Sequence, residues 1–556
     1  MLKETAKIII TTVLLAGISI PAFTQERNEE VTIIAPYQPT ILDPAKSNFM
    51  PVFPDIDRRE KDFQYNILNR KVSTQIEVTP VDPRRPSRDL QSRQFRNLVK
   101  AGFGNYLTPY LFFTANTVPD DEKTLGVKGE AISSFQGIEG YGPGGYAKIN
   151  LEGYGKRHFR KSTLSASIRG DYRQFHYYGF QPDSFPSMDV DKKDIRQSLP
   201  SVGAKIGLAS IYSERRDFKY DVSLNINYIG DSYQANEFLA ETDITLAYLD
   251  DVFNLGDREE LGIELGADYQ SFNDSLGGMD YYRARAFPYY EFVYDQFRLK
   301  AGINTFFAGD TASSFHLYPY LRGEVSLIDN NLSIYAGIRG GLERNSFYRH
   351  SFINPYITNV PELRNTNEKF ELFAGTRASA GLFELYAEIS SLNFEDMPFY
   401  VTDTATALDN QFSIIYDDGQ VFTINAGAGV NILKELLVKL RAGLAFYSLD
   451  REEKAWHKPP FETGLEIVYS PLEKLNISGE VNYVAERFAK GYEEGNTAIS
   501  LDPYLDLNLG ADYNITGNFS VFLSAMNILN KKYHQWHNYP VQGFQVMGGV
   551  IFTTKN

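Results

Sequence analysis

The 556-residue chain contains no cysteine. That excludes disulfides as a source of stability and excludes the lipid-bearing cysteine of a lipoprotein. Tryptophan is nearly absent. Trp456 and Trp536 both fall on predicted outer loops, where an aromatic ring sits in the headgroup layer or meets a ligand. The histidines His158, His176, His316, His350, His457, His534 and His537 are scattered, and none stands at a recognisable catalytic spacing from a serine or an acid. His534 and His537 share one predicted loop, but a zinc site takes three or four ligands, so the pair reads as an aromatic loop rim rather than a metal centre. No catalytic residue, metal or cofactor is expected, and the chain does not read as an enzyme. Basic charge is also short. Lys and Arg number 55 against 70 Asp and Glu, for a net charge of −15, the opposite of the footprint that binds phosphate backbones, so a nucleic-acid partner is excluded.

Abundant instead are Tyr (37), Phe (39) and Gly (43), a mix suited to a β-rich chain. The start, "MLKETAKIIITTVLLAGISIPAFTQE", places Lys3 and Lys7 ahead of an apolar run from Ile8 to Ile20, then Ala22, Phe23 and Thr24. This is the layout of a cleaved signal peptide over residues 1–24, since the run is well short of the ~20 apolar residues that a membrane span needs. No later stretch approaches that length. Residues 25–95 form a distinct arm with prolines at Pro36, Pro39, Pro44, Pro51, Pro54, Pro80, Pro83 and Pro86, a spacing that breaks helix interiors and central strands. Short strands are expected at "VTIIA" and "TQIEV".

From residue 96 to 556 one pattern repeats, an alternation of period two. In "LGIELGADY", Leu261, Ile263, Leu265, Ala267 and Tyr269 are apolar while Glu264 and Asp268 are charged. Leu475–Tyr483, Leu505–Tyr513 and Val222–Tyr228 repeat it. Each is a strand with one apolar and one polar face. The runs are commonly nine or more residues, about the length of a tilted strand crossing a bilayer and longer than the five or six usual in a sandwich. Aromatics crowd "YLTPYLFF", "FPYYEFVY" and "HLYPY", where a membrane barrel places its girdles.

Connections read as strictly alternating between short and long. Short turns are expected near Val118–Asp121, Lys156–Lys161, Ser213–Asp217, Asn254–Glu259, Asp295–Gln296, Asp329–Asn331, Gly381, Asn431–Lys434, Pro471–Lys474 and Thr516–Gly517. Long ones are expected over 179–197, 343–366, 394–411, 449–460, 486–499 and 530–541. With 411–430 taken as one strand kinked at Asp417, Asp418 and Gly419, the count is about 22. Both barrel ends then lie on the short-turn side, the periplasmic side of outer-membrane barrels. An open sheet edge cannot sit in lipid, so the expected fold is all-β, a closed transmembrane antiparallel barrel of about 22 strands preceded by a short proline-rich arm. Its last strand, "GFQVMGGVIF", puts Phe544, Val546, Val550 and Phe552 on one face and resembles the signal by which barrels are recognised for outer-membrane insertion. "TTKN" after Phe552 departs from the usual aromatic ending.

The final third resembles the barrel of TonB-dependent outer-membrane receptors. The resemblance rests on "YSPLEKLNISGEVNYVAERFA", "LDPYLDLNLGADYNITGNFSVFLSAMNILNKKYHQW" and "YPVQGFQVMGGVIF". Asn527, Asn530, Lys531, Lys532 and Tyr533 stand where that family has an Asn-Leu-Phe-Asn-Lys-like motif, and Tyr539, Pro540 and Gly543 precede the closing strand as they do there. "EEKAWHKPPFE" and "VTIIAPYQPT" resemble a Bacteroidetes group of plug-poor, receptor-like barrels. The resemblance implies 22 strands, the outer membrane of a Gram-negative bacterium, the barrel-insertion machinery and lipid as partners, and transport of a ligand. A barrel this wide normally needs its lumen filled. The receptors carry a globular plug longer than the whole arm, and the arm reads as too short and proline-rich to be one.

Val31, Thr32, Ile33 and Ile34 therefore stand as a partner-contact segment: a short energy-coupling box for TonB, a strand pairing with a periplasmic or lipoprotein partner, or part of an arm lying in the lumen. Lumen-facing Glu264, Asp268, Glu480, Asp506 and Asp512 make a polar interior or close into a network with Arg339 and Arg441. Two functions follow: ligand transport through the barrel, or a non-transporting structural or assembly subunit of a larger outer-membrane complex.

Overall fold

The computed structural model describes residues 95–555 apart from 118–121, 187, 212–217, 251, 310–312, 329–330 and 494–495. The expected signal peptide, all but the last residue of the arm, and with it Val31, Thr32, Ile33 and Ile34, lie outside the described residues. What is described is a 22-stranded antiparallel sheet in which each strand pairs with its neighbour in sequence. The first strand, Phe95–Gly104, pairs with the last, Gln545–Lys555, through Val99 with Phe552 and Gly104 with Met547. That pairing closes the barrel and leaves no free edge, as lipid requires.

Alternation sorts the faces. Leu261 and Tyr269 are 45% and 43% exposed on the outside, while Glu264 and Asp268 of the same strand, Arg258–Asn273, hold ion pairs inside. Leu505, Leu509 and Tyr513 repeat this, with Asn508 and Asp512 inside. The same exposure of Leu, Ile and Phe recurs from strand to strand, a belt far larger than the apolar patches that soluble proteins show to water. The abundance of Tyr and Gly has a local cause. Tyr289 lies over its cross-strand partner Gly262, Tyr154 over Gly126, Tyr386 over Gly427 and Phe113 over Gly129, each ring occupying the space a Cβ would take. Ring and glycine interlock, which fixes register and shields the bare backbone.

The expected short turns each coincide with a connection between consecutive barrel strands, although Val118–Asp121, all of Ser213–Asp217 and residues 329–330 are outside the described residues. The kinked strand is also there. Phe412–Leu433 runs for 22 residues with Gly419 at φ +155, opposite a register shift between Phe394 and Met397. Three expectations need correction. Strict alternation of loop length fails, because 105–107, 231–235 and 274–277 are tight connections at the long-loop end too. The stretch 394–402 is strand, the last part of Phe383–Thr402, and 486–499 is largely a hairpin of Arg487–Glu493 with Asn496–Leu501. The aromatics of "FPYYEFVY" and "HLYPY" do not all face outward, since period two sends Phe287, Tyr289 and Tyr318 inside, where they are buried.

Wall height is uneven. Phe519–Met526 has 8 residues, whereas Phe383–Thr402 has 20, and the excess of the tall strands stands up among the long loops. The principal buried apolar core sits there, at one end of the barrel.

Candidate functional site

Inside the barrel the wall has two characters. Over the strands between Arg258 and Ala380 it is packed by ion pairs and by cations lying on rings. Arg285 meets Glu264 at 2.7 Å and Lys300 meets the same carboxylate at 3.5 Å; Arg283 and Arg344 share Asp268; Arg339 meets Glu371. Lys300 also lies 3.9 Å above Tyr289, Arg322 4.4 Å above Tyr335 and Arg339 4.7 Å above Phe373. Charges removed from water need such partners, and the rings supply low-polarity contact for the flat guanidinium groups. An internal charge network therefore exists here, but with other partners than expected: Glu264 and Asp268 meet Arg283, Arg285, Lys300 and Arg344, and Arg339 meets Glu371.

Elsewhere the lumen stays open, and toward the short turns Arg298, Glu324, Tyr335 and Arg377 of the packed strands line the open space as well. A cavity of about 1720 Å³ reaches the turns at Glu473, Lys474, Thr516 and Gly517. Lys100, Glu384, Arg441, Glu480 and Asp512 line it. Arg441 and Glu480 stand 3.6 Å apart with Arg441 largely exposed, so this pair is hydrated, unlike those opposite. Asp506 accepts a 2.9 Å hydrogen bond from Asn508. The cavity opens at the end that carries Phe95 and Lys555, with Leu98 and Thr553 in its lining.

The other end is closed by the protein's own loops. Loop 344–365 folds inward and carries a short helix, Phe347–Ile353, capped by Ser346. Glu237 on the wall accepts hydrogen bonds from the backbone N–H groups of Phe347 (2.6 Å) and Tyr348 (3.3 Å) and from Gln270 (3.0 Å), satisfying donors that a helix start leaves free. Arg173 donates to the Ser351 carbonyl at 2.8 Å and lies 3.7 Å from the Phe352 ring centre.

Tyr539, 2% exposed, joins this loop to the others. Its ring stacks on Tyr356 with centres 3.6 Å apart and meets Tyr178 at 4.9 Å, and its hydroxyl donates to the Asn410 carbonyl. Asn410 donates to the Tyr177 carbonyl (2.7 Å), Tyr177 to that of Ile357 (3.2 Å) and Tyr178 to that of Pro540 (2.9 Å). Gly179 permits the fit, because a Cβ there would stand 2.2 Å from the Tyr539 ring. Arg487, from the hairpin, donates to the carbonyls of Gln535 (2.9 Å) and His534 (2.6 Å). Connections 177–195, 344–365, 403–411, 450–460, 485–503 and 527–544 are thus tied into one cap.

The two tryptophans belong to this cap and neither meets lipid. Trp536 packs on Tyr400 and Phe412, and Trp456 donates to Glu452 at 2.7 Å. His534 pairs with the Tyr141 hydroxyl at 2.9 Å and His537 with Thr402 at 3.4 Å, so the expected rim is an interior. Burial holds His350 and His457 down at about 3, with Arg349 and Lys458 adding to the effect at His350, and Arg487 and His537 at His457. Both imidazoles are neutral at neutral pH. Among the described residues no group of three or more His, Asp or Glu is placed to hold a metal ion.

The sequence shows the polar wall and the outer face of the last strand, where Val550 and Phe552 are exposed, with Phe544 exposed one residue before the strand begins. It marks Tyr539 only by its place before the closing strand and not as the centre of a core, and it does not show Tyr356, Asn410, Arg487 or the inward helix. The available signal was the density of tyrosine and histidine in segments too polar to be strands.

No family profile matches the chain, and no curated protein does. Solved structures with the same fold do exist. The siderophore receptor PirA from Acinetobacter baumannii aligns over 83% of this chain and 81% of its own at a TM-score of 0.64 and 9% identity. The FrpB iron transporter from Neisseria meningitidis (84% and 82%, TM-score 0.63, 11% identity) is similar, as is the ferripyoverdine receptor of the outer membrane of Pseudomonas aeruginosa (83% and 72%, 0.63, 12%). At such identities the likeness is one of fold.

Proposed function

We propose that this chain is an outer-membrane transport protein that takes a ligand through its barrel, with the long loops facing the cell exterior and both ends of the barrel in the periplasm. The observation that carries the reading is the lumen: a 22-stranded barrel holding a polar cavity of about 1720 Å³ that opens at one end and is capped at the other. A structural post has no use for such a space, and the outward belt of Leu, Phe and Ile places the wall in lipid. Siderophore receptors and an iron transporter with the same fold support a ligand of the ferric-chelate class. In this reading TonB or another periplasmic or lipoprotein partner takes hold of the segment before the barrel, with Val31, Thr32, Ile33 and Ile34 as the contact, and Phe544, Val546, Val550 and Phe552 present the end of the chain to the insertion machinery.

The test is uptake of radioiron-loaded siderophores by iron-starved cells with and without the intact gene, in strains with and without TonB. Uptake that needs both supports the reading. Uptake indifferent to both, with the protein held instead in a stable complex of other barrels or lipoproteins, replaces it with the assembly role.

A further inference from the structure

We infer that the loop core at the long-loop end is the permeability barrier of this barrel, and that the stack of Tyr356 on Tyr539 is its latch. The inference deepens the transport reading and rests on it for the direction of passage. Three observations carry it. The cavity lining ends below the cap and contains neither a residue of the buried core that includes Tyr177 and Tyr539 nor Tyr356, which packs against that core. The cap crosses the mouth, since Tyr177 follows the strand Ser162–His176, Tyr356 comes from loop 344–365 and Tyr539 from loop 527–544, the last connection before barrel closure. Finally, the links between these loops converge on one side chain: Tyr539 stacks on Tyr356, touches Tyr178 and donates to Asn410, which itself holds Tyr177.

A further link is backbone. Phe412 donates to the Tyr356 carbonyl and Thr358 to the Phe412 carbonyl, each at 2.9 Å, so loop 344–365 is sewn as a parallel bridge to the tall strand Phe412–Leu433. That bridge anchors the loop to the wall. The Tyr356–Tyr539 contact is made of side chains alone, so it can part without unravelling a strand. Opening is therefore expected to separate 527–544 from 344–365 and leave the bridge in place.

The full chain, purified and inserted in planar lipid bilayers, tests this. The unaltered protein is expected to stay closed. Tyr539→Ala and, independently, Tyr356→Ala are expected to give frequent open events, whereas Tyr539→Phe, which keeps both ring contacts and loses only the hydroxyl bond to Asn410, stays mostly closed. Large conductance through the unaltered protein would overturn the inference. So would closed channels from the two alanine variants when both keep the heat-sensitive gel mobility of a folded barrel.

The natural lack of cysteine gives a second measurement. Ser478→Cys lines the cavity and Ala405→Cys lies exposed on the cap, marking full access for a membrane-impermeant maleimide on intact cells. Labelling of Ser478→Cys is expected to be about tenfold faster with Tyr539→Ala than without it, the effect of losing one ring stack and its hydrogen bond. Equal rates in the two backgrounds would place the barrier elsewhere. Neither readout involves uptake, so a failed uptake assay counts against the transport reading and leaves this inference standing.

Discussion

At the long-loop end, connections far apart in sequence bury their aromatic side chains in one core around Tyr539, while at the short-turn end tight turns surround a cavity whose charges remain wet. Both ends belong to the same barrel. What separates them is the height of the wall and the length of the connections. Tall strands such as Phe383–Thr402 carry inward-facing Phe399 and Val401 beyond the belt, where the loops have something apolar to pack on. The short strands near Phe519–Met526 offer no such ledge. Changes at the capped end should therefore act on stability and closure together, and changes at the open end on neither.

The largest effect is expected from Glu237→Ala. It strips the acceptor from Phe347 N–H, Tyr348 N–H and Gln270, and buried donors left unpaired cost ~1–3 kcal/mol each. A loss of about 4 kcal/mol, read by urea unfolding in lipid vesicles, with faster proteolysis of 344–365, is expected. A variant as stable and as protease-resistant as the parent would show that the inward helix is not held from the wall.

Acid should act on the same end. An exposed histidine titrates near 6.5, while His350 and His457 in the closed cap titrate at about 3, so the closed state favours the neutral rings. Their folded values lie below the exposed ones, so closure loses stability as pH falls below 6.5 and continues to lose it down to about 3. At pH 5.5 each ring costs about 1.4 kcal/mol, one unit of pH below its exposed value. The structure gives the reason. His350 uses Nδ1 toward the Tyr400 hydroxyl, and its buried Nε2 has no partner among the described residues to accept a proton's hydrogen bond. Open probability in bilayers should rise between pH 6.5 and 4.5, and replacing both histidines with Gln should flatten that rise.

How much of this was readable beforehand divides along the same line. The barrel was legible because its signals are local and periodic: Leu261 to Tyr269 states its two faces by itself, and the turn at Gly381 announces its place between two strands. Asp417 to Gly419 was readable as a kink for the same reason. The cap was not, because Asn410 meets Tyr177 and Arg487 meets Gln535 across long stretches of chain, with no period to betray the pairing. Nor could alternation say whether an aromatic faced lipid or lumen: Tyr269 is exposed outside, whereas Tyr289 on the neighbouring strand is buried inside.

That interlock offers a smaller test, away from both ends. Gly262→Ala would set a methyl 2.3 Å from the Tyr289 ring, on a wall also fastened by Lys300 and Glu260. Overpacking of this kind costs ~1–3 kcal/mol, and the low end is expected, since the ring is a side chain that yields a little. Unfolding should become easier while conductance stays closed, because nothing in the cap leans on this pair. Opening of the channel by Gly262→Ala would mean that wall and cap are one unit.

The smallest effect on stability belongs to Arg441→Ala at the open end. Arg441 is 60% exposed and stands 3.6 Å from Glu480, and exposed pairs of this kind contribute ~0.2–1 kcal/mol at best. Its charge nevertheless projects into the cavity, and a low-dielectric wall around an aqueous space focuses the field of each fixed charge on passing ions. Removing it while Glu384, Glu480 and Asp512 remain makes the lumen more acidic. In the Tyr539→Ala background, where current flows, the reversal potential under a salt gradient should shift toward cations, with the unfolding midpoint unchanged. The same exchange at Arg285, which is bound to both Glu264 and Asn304, should lower the midpoint and move the potential less. If the two arginines behaved alike, the division between a packed wall and an open one would not hold.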